Sequence, residues 1–151
     1  MSSFKSNIQP QNTRRLADIA QNYEPWPLGT SAMLRILAWP DYTEAWQIDK
    51  VLQASSRLFG HDDACLCLRY DETIDPPLSQ VTENINIQLQ NRPEVQTESK
   101  DINILIIDDP IPQSDWYRVG LTAFCAVGFL DAPKSIRTQF IQVQHCEKMF
   151  V

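Results

Sequence analysis

Four apolar runs punctuate the chain, and each ends in aspartate: Leu34 to Asp41, Cys65 to Asp71, Ile102 to Asp109 and Phe124 to Asp131. They are nearly continuous in hydrophobicity rather than alternating, the pattern of strands buried on both faces of a parallel sheet. Strands are therefore expected over 33–39, 64–70, 102–108 and 123–129. Between them apolar positions recur at helical spacing. Ile48, Val51, Leu52, Ser55, Leu58 and Phe59 mark one face of a helix from Thr43 to Phe59, which Gly60 stops. Leu78, Val81, Ile85 and Leu89 mark a second helix, opened by Asp75-Pro76-Pro77, since proline sacrifices no hydrogen bond in a first helical turn. A short third helix is expected around Ser114 to Leu121, with Trp116, Val119 and Tyr117 inward, and a fourth from Pro133 nearly to the end, with Ile136, Phe140, Val143 and Cys146 on one face.

Ahead of these elements the pattern weakens. Residues 1–12 are polar and read as disordered, and Thr13 then caps a short helix through Asn22. Pro25, Pro27 and Gly29 break it. Residues 1–31 are thus expected to form an N-terminal extension anchored by Trp26, and 32–151 the domain proper. Alternation of strand and helix implies right-handed crossovers and a parallel sheet covered on both faces. The expected fold is α/β: a three-layer, Rossmann-like domain of about four parallel strands with helices on both faces, plus the N-terminal helical extension. Its carboxyl edge, where open α/β sheets bind their ligands, then carries Asp41, Asp71, Asp108, Asp109 and Asp131 as the candidate ligand edge.

Composition narrows what that edge can bind. A chain of 151 residues fits one domain. Its net charge of -6 argues against nucleic acid and against an anionic membrane surface, both of which call for clustered lysine and arginine. Lys5, Arg14 and Arg15 make the one local basic patch. No run approaches the roughly 18 apolar residues of a membrane span. The start, Met1 to Ser6, has no apolar stretch of signal-peptide kind, so a cytoplasmic protein with reduced cysteines is expected. Cys65 and Cys67 share one strand face, no C-x-x-C occurs, and the thiols read as small buried hydrophobes rather than zinc ligands. No cofactor and no metal is expected.

Specific chemistry is scarce. A phosphate cradle needs glycine after the first strand, but the turn reads Trp39-Pro40-Asp41-Tyr42-Thr43, and the chain has four glycines in all. Asp108-Asp109 has the look of a divalent-cation or phosphoacceptor pair, yet the first strand ends in a single Asp41 and no lysine closes the fourth, which continues Asp131-Ala132-Pro133-Lys134. Each aspartate also has a structural account. Asp41 caps the helix near Thr43, Asp75 rather than Asp71 caps the next, Ser114 or Asp115 starts the third, and Asp131 precedes Pro133. Carboxylates at helix N-termini gain about 0.3–1 kcal/mol each. No G-x-S-x-G elbow is present, His61 falls on the opposite edge, His145 in the last helix and Cys125 mid-strand, which leaves no nucleophile with its base.

Ile102 to Asp131 resembles part of the carboxyl-terminal half of GT-B glycosyltransferases: an apolar strand, the acidic-aromatic segment Ser114-Asp115-Trp116-Tyr117-Arg118-Val119, then a strand of small apolar residues from Ala123 to Val127. Ile36 to Tyr42 resembles the start of small Rossmann-like segments in large cyanobacterial glycosyltransferase-type proteins. The resemblance covers 33–131 and implies a sugar-nucleotide-binding domain working with a partner chain, its site lined by Asp41, Asp108, Asp109 and Asp131. The family's paired glutamates after the last strand are missing, with none before Glu147, and such an enzyme has two of these domains where this chain has one. What the resemblance implies is a domain that kept the fold and lost the transfer chemistry. The expected function is a non-catalytic protein-interaction or regulatory module, with Trp26, Trp39, Tyr42 and Trp46 as candidate interaction residues and Met149-Phe150-Val151 as a candidate dimer contact. The alternatives are the sugar-nucleotide domain and a metal or phosphoacceptor switch at Asp108 and Asp109. A protein partner or homodimer is expected, with no nucleic acid and no membrane.

Overall fold

The computed structural model describes residues 6–10, 25–55, 63–92, 102–121, 123, 125–129, 131–142 and 147–150. The helix expected over Thr13 to Asn22, most of the polar loop after Asn91, both histidines and Cys146 lie outside them. The elements run β1 (Ser6–Pro10), β2 (Leu34–Ala38), α1 (Ala45–Ser55), β3 (Ala64–Arg69), α2 (Leu78–Gln90) and β4 (Ile102–Ile107). A 3-10 turn (Gln113–Asp115) then leads into α3 (Trp116–Gly120), followed by β5 (Cys125–Gly128), α4 (Lys134–Gln142) and β6 (Glu147–Phe150). The strands form one parallel sheet in the order β1-β4-β3-β2-β5-β6. The fold is a Rossmann-like α/β domain.

The four apolar runs are the four central strands, and the edges are what the pattern did not reveal. β1 pairs with β4, Ser6 opposite Ile102 through Pro10 opposite Ile106, so the polar segment read as disordered contributes an edge strand. Pro10 lacks an N–H, which an edge strand tolerates and an interior strand does not. At the other edge the last helix stops at Gln142, and Glu147–Phe150 pairs with β5 as β6. Met149 and Phe150 are therefore sheet residues. Four residues are too few to register as a strand against a preceding helical period.

Each central strand is buried on both faces, because successive side chains point to opposite sides. Ile36, Ala38, Leu66, Leu68, Ile104 and Ile106 face α1 and α2, meeting Ile48, Val51, Leu52, Val81, Ile85 and Leu89. Leu37, Cys65, Cys67, Leu105, Ile107 and Ala126 face the other way, onto Trp116 and Val119 of α3, Ile136 of α4 and the segment Trp26 to Ala32. Both buried thiols of β3 donate to main-chain carbonyls, Cys65 to Leu66 at 3.8 Å and Cys67 to Cys65 at 3.9 Å. Trp26 pins its segment: its N–H donates to the Arg118 carbonyl at 3.0 Å and its indole N–H to Asp109 Oδ2 at 3.1 Å. The Arg118 guanidinium lies 5.4 Å over its ring.

The winding fixes where a site can be. From β2 the chain moves outward through α1, β3 and α2 to β4, then returns through α3 to β5 on the other side of β2. The direction of winding therefore reverses between β2 and β5, and a crevice opens outside their carboxyl ends. Trp39 N–H donates to the Val127 carbonyl at 3.3 Å, carrying the β2–β5 pairing up to its lip.

Candidate binding site at the carboxyl edge

Two turns of one local design build the edge. After β2, Asp41 Oδ1 accepts from the Thr43 N–H at 2.9 Å and the Thr43 hydroxyl at 2.6 Å. The Asp41 N–H donates to Gln47 Oε1 at 2.8 Å, and the Glu44 N–H to the Asp41 carbonyl at 3.0 Å. After β3, Asp71 Oδ1 accepts from the Thr73 N–H at 2.8 Å and hydroxyl at 2.6 Å, while the Ile74 and Asp75 N–H groups donate to the Asp71 carbonyl at 3.0 and 2.8 Å. Aspartate two residues before threonine makes such a turn without a left-handed residue. Accordingly, no residue among those described, glycine included, has positive φ. The consequence is chemical. In a nucleotide-binding sheet the N–H groups of the first βα turn meet phosphate, and here they meet the protein's own oxygens.

Arg69 stands between the turns, a charge at the end of an apolar strand and only 5 % exposed. A buried charge has to be paired. Its Nη1 lies 3.1 Å from Asp75 Oδ2 and its Nη2 3.6 Å from Asp71 Oδ2. Asp75 Oδ2 also accepts from the Asp71 N–H at 2.9 Å. Burial pushes the Asp75 carboxyl above its ordinary range, against the pull of the Asp71 N–H and of Arg69. Asp71 goes the other way, held down chiefly by the Thr73 hydroxyl. The expected cap role of Asp75 is thus corrected. Pro77 occupies the N-cap of α2 with no side-chain cap, because Asp75 is committed to Arg69 and the turn. Tyr42 locks the two turns together: its buried hydroxyl donates to the Arg69 carbonyl at 2.6 Å, and Asn84 of α2 donates to the Tyr42 carbonyl at 3.0 Å. That burial raises the Tyr42 phenol well above its ordinary value.

Five candidate aspartates divide between two clefts. Asp71, Asp108 and Asp109 line one of about 660 Å³ outside β3 and β4. Asp41 and Asp131 line the other, of about 400 Å³, at the β2–β5 crevice. Arg69 borders both and is the one cation among their described lining residues. Asp109 is 8 % exposed and holds the Trp26 indole, so Asp108 and Asp109 are not presented as a pair. Among the described residues, no group of three or more histidine, cysteine, aspartate or glutamate side chains is placed to hold a metal ion.

The four candidate aromatics separate sharply. Trp26, Trp39 and Tyr42, candidate interaction residues, are buried and belong to the core. Trp39 donates to Gln139 Oε1 at 3.2 Å and sits 5.8 Å from Trp116. Trp46 alone of the four is exposed, at 44 %, seated edge-on to Phe129 at 5.6 Å and lining the β2–β5 crevice. Across from it is Ile74, 58 % exposed. Sequence reasoning passed over Ile74, Arg69 and the Asp75 pairing. Arg69 was the signal available, since a charge in an otherwise apolar run demands a buried counter-charge.

No family model and no curated protein matches the chain. Solved structures do. A universal stress protein crystallised in complex with cAMP is similar with a TM-score of 0.48 and 12% identity, covering 80% of this chain and 98% of that one. The universal stress protein UspA from Lactobacillus plantarum is similar with a TM-score of 0.39 and 14% identity, covering 81% and 99%. These are not glycosyltransferases, and the GT-B resemblance is corrected accordingly. Its physical basis was generic: a buried strand, a short helix and another buried strand recur wherever a parallel sheet is covered on both faces. Among the described residues no helix is long and apolar enough to cross a membrane.

Proposed function

We propose that this protein is a non-catalytic, regulatory binding module that engages a protein partner through the crevice between β2 and β5. One observation carries the reading. The Asp41, Thr43 and Glu44 N–H groups and the Thr43 hydroxyl of the β2–α1 turn are spent within the protein, while Trp46 and Ile74 stand exposed along the same crevice. A catalytic site calls in addition for a nucleophile or base held by a hydrogen-bonded partner, and none of the described hydrogen bonds in the crevice makes such a pair. Tryptophan is among the residues that dominate binding hot spots. The buried free thiols of Cys65 and Cys67 suit a reducing, cytoplasmic compartment.

Selection from a random-peptide display library tests the reading. Peptides selected on the wild-type protein are expected to bind Trp46→Ala at least about tenfold more weakly, and to bind Glu83→Gln, exposed on α2 and outside both clefts, unchanged. Selected peptides that ignore both Trp46→Ala and Ile74→Ser overturn it.

A further inference from the structure

The β2–β5 crevice is lined by the carboxylates of Asp41, Glu44, Asp75 and Asp131 and by the guanidinium of Arg69. Asp75 and Arg69 cancel each other at 3.1 Å, both buried. What remains is Asp41, Glu44 and Asp131, all exposed, and among the described residues none of the three enters an ion pair. The exposed apolar surface of Trp46 and Ile74 lines the same space. Resting on the reading that this crevice is the contact surface, we infer that its occupant is a segment of a partner protein carrying lysine or arginine beside an apolar residue.

Charge and shape both select that chemistry. A basic side chain is amphipathic: its aliphatic stem covers apolar surface while its head stays polar. Here the stem lies along Ile74 and the Trp46 ring, whose π face also attracts a cation, and the head meets the three carboxylates. An anion meets Asp41 and Thr43 amides already bonded to the protein's own oxygens, an Arg69 already paired with Asp75, and three repelling carboxylates. A second copy approaching edge to edge would set like carboxylates against each other. A peptide is favoured over a small cation because the negative surface continues past Arg69 into the neighbouring cleft, where Asp71, Glu72 and Asp108 lie. An extended segment with more than one basic residue spans both. With a net charge of -6, the chain also steers such a segment toward itself from a distance.

Fluorescence anisotropy with a labelled peptide of alternating arginine and leucine tests the inference on the full chain. It is expected to bind at least about tenfold more tightly than its glutamate–leucine counterpart and to weaken about tenfold between roughly 0.05 and 0.5 M salt. Asp41→Asn combined with Asp131→Asn keeps the Asx turn and is expected to lose about tenfold in affinity. Asp63→Asn with Glu83→Gln makes the same change in net charge away from the crevice and is expected to leave binding intact. Equal losses in the two pairs overturn the inference, because charge alone would then account for binding. So does tighter binding of a peptide spanning residues 11–24 of this chain, which holds Arg14 and Arg15 and would make the chain its own occupant. Library peptides that depend on Trp46 but lack lysine and arginine overturn this inference and leave the binding module standing. Peptides indifferent to both Trp46→Ala and Ile74→Ser remove both.

Discussion

The turns after β2 and β3 share the Asp-x-Thr motif and nearly the same bond lengths, yet they occupy different electrostatic worlds. Around Asp71 the motif closes over the buried pair of Arg69 and Asp75, with the Asp71 side chain at the surface and reaching back to the guanidinium. Around Asp41 the identical motif leaves its carboxylate on an exposed rim next to Trp46. Local hydrogen bonding shapes both turns, and what lies beneath each decides its role. Beneath one is a buried guanidinium that must be paired. Beneath the other are Pro40 and Trp39, which demand nothing of the carboxylate.

The comparison breaks most readily at Asp75. Replacing it with alanine leaves Arg69 buried without its closest counter-ion and is expected to cost about 3–5 kcal/mol, read as a drop in the urea midpoint. Arg69→Met with Asp75→Leu together should recover most of that loss, since an apolar pair needs no counter-charge. A double variant as unstable as the single one would show that the pair does more than neutralise itself. Trp46→Ala is expected to cost about 0.5–1.5 kcal/mol through the lost edge-on contact with Phe129, read in the same urea titration. Asp41→Ala opens the exposed turn and should cost about 1 kcal/mol, the scale of one net hydrogen bond. Were it to match Asp75→Ala in thermal melts, the two turns would not differ as described.

Acidity sharpens the contrast within the β3 turn itself. The Asp71 carboxyl is held below its unfolded value, so its contribution is present above that value and is lost as pH falls through the folded pKa. Asp75 is raised above its unfolded value by burial, so its contribution is present at low pH and is lost as pH rises through its folded pKa. Across the carboxylate range, the destabilisation caused by Asp71→Asn should therefore grow with rising pH and that of Asp75→Asn should shrink. Denaturant titrations at a series of pH values read both slopes. Slopes of the same sign would mean that burial does not dominate at Asp75.

Much of the architecture was written in hydrophobic period. Runs such as Leu66 to Leu68 and Ile104 to Ile107 fill both faces of a strand, and Val81, Ile85 and Leu89 recur at one helical face, so strand direction and layering followed from burial alone. The carboxyl edge followed from direction. The edge strands did not, because a strand paired on one side needs no apolar run, and Ser6–Pro10 and Glu147–Phe150 have none. Sequence also marked the strand-end aspartates without telling them apart. Asp41 and Asp109 look alike in a line of letters, but one lies on an exposed rim and the other holds the Trp26 indole 83 positions away in the chain. The same is true of Trp39 and Trp46, one within the core and one on its surface. Periodicity reports which face of an element is apolar, and that is a local property. Whether a carboxylate is paired or a tryptophan covered depends on distant segments meeting, and only the tertiary structure decided that Asp41, Trp46, Ile74 and Asp131 border one crevice.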